Sequence, residues 1–198
     1  SLGIMYLKQL VRKYLYQKLK WKKINMNLNQ ISTIFFDVDG IFTDGSLYYS
    51  DKGAKITKFN VHDGIGCMLL KEAGLDLLIL TARYSEAIVN RFKDLGINKI
   101  FTKVLNKRDF IREYSKTNTI NKKEIIMVGD DLQDLFAIDE VGLFFTTPNA
   151  IDIVKEKAHY TTKRIGGNGA VREICDLIIS SKGTTPVSEF ERFIVKGL

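Results

Sequence analysis

From residue 31 onward, short apolar runs alternate with stretches whose apolar positions recur every three or four residues. The runs at 31–36, 75–80, 99–102, 125–128 and 142–146 are rich in Ile, Leu, Val and Phe and too short for helices. The stretches 64–73, 85–95, 107–115, 132–139, 149–157 and 170–180 carry helical spacing. Apolar strands separated by helices predict a doubly wound, Rossmann-like α/β fold: a mainly parallel sheet covered on both faces. Ligands in that class bind beyond the carboxyl ends of the strands. One stretch breaks the alternation. Residues 47–59 hold two strand-type runs around Asp51-Lys52-Gly53, which predicts a β-hairpin projecting after the first strand.

Two of the apolar runs stop abruptly at carboxylates beside glycine. The first reads Ile34-Phe35-Phe36-Asp37-Val38-Asp39-Gly40-Ile41-Phe42-Thr43-Asp44-Gly45, the second Ile125-Ile126-Met127-Val128-Gly129-Asp130-Asp131-Leu132-Gln133-Asp134. Carboxylates gathered at one sheet edge repel unless a cation lies between them, and oxygen-only ligands favour a hard ion such as Mg²⁺. The arrangement suits phosphoryl transfer. Asp37 would be the nucleophile, forming an aspartyl-phosphate, and Asp39 the acid that protonates the leaving oxygen and then the base that activates water. Thr81, at the end of its strand, and Lys107, opening a helix, would hold the phosphoryl oxygens, with Lys103 and Arg108 as rivals to Lys107. Mg²⁺ would sit on Asp37, Asp130 and the main-chain carbonyl of Asp39. Asp131 and Asp134 are candidates either for capping the helix that follows or for positioning the lysine or a metal-bound water. Arg83 is a candidate contact to a substrate carboxylate; Arg91, Arg172, His62 and His159 read as solvated or packing residues.

Length and charge refine this picture. At 198 residues the chain is long enough for one full core. Its net charge of +7 is uneven: residues 1–30 hold seven Lys or Arg and no acid, while the remaining 23 basic and 23 acidic residues cancel. That segment carries Leu7, Leu10, Val11, Tyr14, Leu15 and Leu19 at helical spacing, so it is expected to be a basic amphipathic helix. It could dock on a subunit, touch an anionic membrane surface weakly, or be a leader ahead of Met26. The expected organisation is an N-terminal extension at 1–30, the catalytic domain at 31–182 and a tail at 183–198. Cys67 and Cys175 have no metal-type spacing, and no apolar run approaches the length of a membrane span, so the expected setting is the cytoplasm. Nothing beyond the basic segment suggests nucleic acid.

The ordered set Asp37, Asp39, Thr81, Lys107 and Asp130 resembles the haloacid dehalogenase superfamily of phosphohydrolases. In that superfamily, cap domains enter between the nucleophile and the Thr or between the Lys and the second acidic cluster. Here those intervals are 44 and 23 residues, so the resemblance implies a capless site walled by neighbouring subunits. The remainder is similar to the 3-deoxy-D-manno-octulosonate 8-phosphate (KDO 8-phosphate) phosphatases, through the hairpin with Phe59-Asn60-Val61-His62-Asp63-Gly64-Ile65-Gly66, the Thr81-Ala82-Arg83 turn, and Gly166-Gly167-Asn168-Gly169-Ala170-Val171-Arg172-Glu173. The likeness implies a Mg²⁺-dependent hydrolase of lipopolysaccharide synthesis, a homotetramer associating through its hairpins, with Thr43 and Gly64 joining the substrate- and phosphate-binding candidates. The chain departs from the family pattern at His62, Ala82 and the 101–103 stretch. Phosphatases of nine-carbon keto-sugar acids carry Glu at the Arg83 position, which favours the eight-carbon acid. The alternatives are a nine-carbon substrate, a non-catalytic oligomerisation module related to domains of sialate-activating enzymes, and a signalling phosphoacceptor, which Asp39 argues against.

Overall fold

The computed structural model describes residues 26–51, 53 and 55–196. The predicted amphipathic helix before Met26 lies outside the described residues. Six strands form one parallel sheet: β1 (Thr33–Phe36), β4 (Asp76–Leu80), β5 (Ile100–Phe101), β6 (Ile125–Val128), β7 (Leu143–Thr146) and β8 (Tyr160–Thr161), in the order β5-β4-β1-β6-β7-β8. The chain leaves β1 for β4 and β5 on one side, then returns to β6 on the other. The strand order therefore reverses beside β1, where crevices form at the carboxyl edge of such sheets. The hairpin of β2 (Tyr48–Tyr49) and β3 (Lys55–Ile56) stands apart as an antiparallel pair.

Alternation along each strand splits the core into two layers. Ile34 and Phe36, Leu77 and Ile79, Ile126 and Val128, and Leu143 and Phe145 join one cluster with Cys67, Phe92 and Ile174. Phe35, Leu78 and Leu80, Ile125 and Met127, and Phe144 join the other with Ile111 and Val154. The first layer is covered by α1 (Val61–Glu72), α2 (Glu86–Asp94) and α6 (Ala170–Ser181); the second by α3 (Lys107–Thr117), α4 (Leu132–Leu135) and α5 (Asp152–Lys157). Burial on both faces is why these strands read as unbroken apolar runs.

Several elements differ from expectation. Helix α1 begins at Val61, three residues before the expected Gly64, because the Asn60 side chain accepts from His62 N at 2.8 Å and caps it. Helix α4 ends at Leu135, and the chain tightens into a 3₁₀ turn at Ile138–Glu140. Strand β8 is two residues long, too short for a periodic signal. Phe59, at the end of the hairpin segment, is half-buried and packs edge-on against Phe92. The tail at 183–198 contains helix α7 (Pro186–Lys196), started by Thr185 Oγ1 accepting from Ser188 N at 3.1 Å and by Pro186 in the first turn. Among the described residues no helix is long and apolar enough to cross a membrane.

Candidate active site

Asp37, Thr81 and Asp130 each follow a strand of the central trio β4-β1-β6, so the parallel sheet brings them to one edge. Lys107 comes from outside the sheet. Asn106 caps α3 by accepting from Asp109 N, and the helix starts with Lys107 pointing inward, 2 % exposed. Its Nζ donates to Asp37 Oδ1 at 2.6 Å and to Asp134 Oδ1 at 2.5 Å. Asp134 is held from the other side as well. Its Oδ2 accepts from Asp130 N at 3.0 Å and Asp131 N at 3.2 Å. The carboxylate therefore ties the lysine to the turn after β6, while Asp131 caps α4 by accepting from Leu132 N.

The electrostatics are those of a crowded, dry cluster. Burial, and then the neighbouring Asp134 charge, push the Asp37 carboxyl well above its ordinary range against the opposing pull of Lys107. Burial, with Asp134 and Asp131, raises Asp130 to about 7. For Lys107, burial favours the neutral amine, but Asp37 and Asp134 outweigh it and hold the ammonium charged. One cation is thus shared among three carboxylates. Asp37, Asp130 and Asp134 each offer an oxygen within 4.8 Å of the others, a donor set suited to a hard divalent ion. Asp134 already accepts three hydrogen bonds, so Asp37 and Asp130 are the better-placed ligands.

Asp39 is engaged elsewhere. Its two oxygens accept from Arg83 Nε at 2.8 Å and Nη2 at 2.6 Å, a bidentate pair that keeps the Arg83 charge firmly in place. Thr81 is buried, and its Oγ1 accepts from Arg83 N at 3.2 Å, fixing the turn that aims the guanidinium. Thr43 is buried too and braces the loop after β1 by accepting from Gly40 N at 3.3 Å and Gly45 N at 3.2 Å. Gly64 lies on the helical layer: a Cβ there would meet Arg91 Nη2 at 2.4 Å. The structure therefore gathers Asp37, Asp130, Asp134 and Lys107, sets Asp39 with Arg83 and Thr81, and places Gly64 against Arg91 and Leu95. Sequence reading assigned nothing to Asp63, Thr147 or Asn149. Asp63 is buried and accepts from Gly169 N and Arg172 N at the start of α6. Thr147 Oγ1 and Asn149 Nδ2 both donate to Gly40 O. The only signal for this pair was polar residues following the apolar run at 142–146.

Comparison with known proteins decides the lineage. A haloacid dehalogenase-like hydrolase family matches residues 80–174. The 3-deoxy-D-manno-octulosonate 8-phosphate phosphatase of Haemophilus influenzae is 31 % identical over 175 residues, 88 % of this chain and 97 % of that protein. This chain belongs to the KDO 8-phosphate phosphatase family. The family member of Yersinia pestis is 35 % identical over 149 residues, 75 % of this chain and 80 % of its own. Among solved structures, that of the Moraxella catarrhalis KDO 8-phosphate phosphatase, in complex with magnesium, phosphate and KDO, superposes with a TM-score of 0.79 at 34 % identity, covering 89 % of this chain and 98 % of its own. A Legionella pneumophila hydrolase of the same superfamily reaches 0.82 at 33 % identity, covering 90 % and 99 %.

Proposed function

We propose that this chain hydrolyses 3-deoxy-D-manno-octulosonate 8-phosphate to KDO and inorganic phosphate. The observation that carries the proposal is Lys107, buried and bridging Asp37 and Asp134 beside Asp130: a lysine so placed opposes the burial that raises Asp37 and offers a positive charge where phosphoryl oxygens arrive. A carboxylate oxygen of Asp37 attacks phosphorus as the ester P–O bond breaks, and Asp39 gives its proton to the leaving sugar oxygen. Water then attacks the aspartyl-phosphate; Asp39 takes its proton, the bond from phosphorus to Asp37 breaks, and phosphate leaves. Thr81 and Lys107 hold the phosphoryl oxygens through both steps. Mg²⁺ bound by Asp37, Asp130 and the Asp39 carbonyl would supply further charge neutralisation.

Arg83 gives this scheme its selectivity. Asp39 cannot reach a leaving oxygen while both its oxygens are taken by the guanidinium. A substrate bearing its own carboxylate competes for Arg83 and releases Asp39, which suits a sugar acid better than a neutral sugar phosphate. The capless site is completed in this reading by a homotetramer formed through the hairpin, where Tyr48, Tyr49 and Ile56 are exposed. The free, buried Cys67 and Cys175 support work in the cytoplasm. The test is phosphate release from a panel of KDO 8-phosphate, a nine-carbon keto-acid phosphate and neutral hexose phosphates, with Asp37→Asn as control. Preference for the eight-carbon acid, lost in the control, supports the reading; equal turnover of neutral esters overturns it.

A further inference from the structure

The loop that carries Asp37 and Asp39 is held from a third strand. Gly40 O accepts from Asn149 Nδ2 at 3.0 Å and from the buried Thr147 Oγ1 at 3.2 Å, both on the segment after β7. The same amide works in the other direction, since Asn149 Oδ1 accepts from Gly166 N at 2.8 Å. Gly167 N in turn donates to Ile41 O at 3.0 Å. One side chain therefore joins the loop after β1 to the Gly166–Gly169 segment that precedes α6.

The joint is tight where it meets the carboxylates. Gly40 has φ +78°, and a Cβ on it would stand 1.8 Å from Asp130 Oδ2, so the Gly40 backbone lies directly against the proposed metal ligand. A Cβ on Gly166 would in turn stand 1.9 Å from Gly40 O. Gly40 is thus clasped between Asp130 and Gly166, and the bonds from Asn149 and Thr147 set the plane of its carbonyl. Any rotation of that peptide would move the Asp39–Gly40 turn relative to Asp130.

We infer that Asn149 is a positioning residue for the cation-binding carboxylates: its amide locks Gly40 and thereby fixes the loop of Asp37 and Asp39 against Asp130. The inference rests on the reading of Asp37 and Asp130 as Mg²⁺ ligands. Asn149 touches neither the metal ligands nor the reacting atoms directly. Because the residue is itself exposed, its replacement leaves both core layers intact.

The experiment is calorimetric titration of chelator-treated full-length protein with Mg²⁺, beside steady-state kinetics and thermal unfolding, for wild type, Asn149→Ala and Asn149→Asp. Removing a partner that orients a ligand weakens metal binding by about tenfold to a hundredfold. Asn149→Ala is expected at the lower end, since Thr147 still donates, with a comparable fall in kcat and little change in KM. Asn149→Asp keeps the acceptor for Gly166 N but cannot donate to Gly40, so its kcat should fall as well. The assignment is overturned if Asn149→Ala binds Mg²⁺ and turns over like wild type, if only its melting temperature drops, or if Asn149→Asp retains full kcat. Wild-type protein that binds no Mg²⁺ would overturn the metal site itself, and this inference with it.

Discussion

Replacing Lys107 with Met would expose the balance on which the site depends. The ammonium is 2 % exposed and lies 2.6 Å from Asp37 and 2.5 Å from Asp134, so Lys107→Met leaves buried carboxylates facing one another with no cation. Breaking a buried pair by removing one partner costs about 3–5 kcal/mol. The lower end applies here because Asp134 keeps its two main-chain donors, whereas Asp37 loses the lysine outright. A loss of about 3 kcal/mol corresponds to a fall in Tm of roughly 6–12 °C for a domain of this size. The loss should depend on pH, with a definite sign. Burial and Asp134 already raise Asp37, and burial raises Asp130 to about 7. A carboxyl raised on folding binds more protons folded than unfolded, so it subtracts from stability as pH climbs from its unfolded value through its folded one. Removing Lys107 raises both groups further. Urea unfolding of chelator-treated protein, followed by circular dichroism at pH 8 and pH 5.5, should therefore show the variant strongly destabilised at the higher pH and closer to wild type at the lower. Equal losses at both pH values, or none at pH 8, would refute the argument.

Arg83→Met should raise KM for the sugar-acid phosphate by about tenfold or more, the worth of a charged hydrogen bond. Turnover of p-nitrophenyl phosphate, which has no carboxylate, should hold or rise because Asp39 is freed; equal losses on both substrates would speak against the ion pair as a gate. The double substitution Tyr48→Glu with Ile56→Lys, at exposed hairpin positions, should shift the mass measured by light scattering from tetramer to smaller species and lower activity with it. An unchanged active tetramer would move the interface elsewhere. Deleting residues 1–25 removes the excess positive charge but no candidate site residue. It should spare turnover and abolish any salt-sensitive co-sedimentation with anionic vesicles, whereas loss of activity or assembly would make the segment part of the enzyme.

The parallel sheet was legible because β1, β4, β6 and β7 are buried on both faces and so written as unbroken apolar runs, each followed by a polar switch at the site edge. Lys107 was legible as a helix-opening cation, but its depth was not: only the fold shows that Asp134 receives it while also bracing the turn at Asp130. The partner of Asp39 was hidden for the same reason, since Arg83 lies 44 positions further along the chain and nothing between them carries a trace of their contact. Helix α7 was missed although its signals were present in Thr185, Pro186 and the spacing of Val187, Phe190 and Ile194. Asn60 likewise marked the true start of α1. Asn149 left least trace, because its role is to bridge two main chains rather than to display a chemical motif.

The most direct test of the mechanism is to trap the covalent step at Asp37. Full-length protein turning over KDO 8-phosphate with Mg²⁺ is quenched, treated with borohydride to reduce any aspartyl-phosphate to homoserine, digested and read by mass spectrometry. Homoserine at residue 37, present only when substrate and Mg²⁺ are both supplied, is the predicted result. Rapid phosphate release with Asp37 unmodified, or modification at a different carboxylate, would contradict the account.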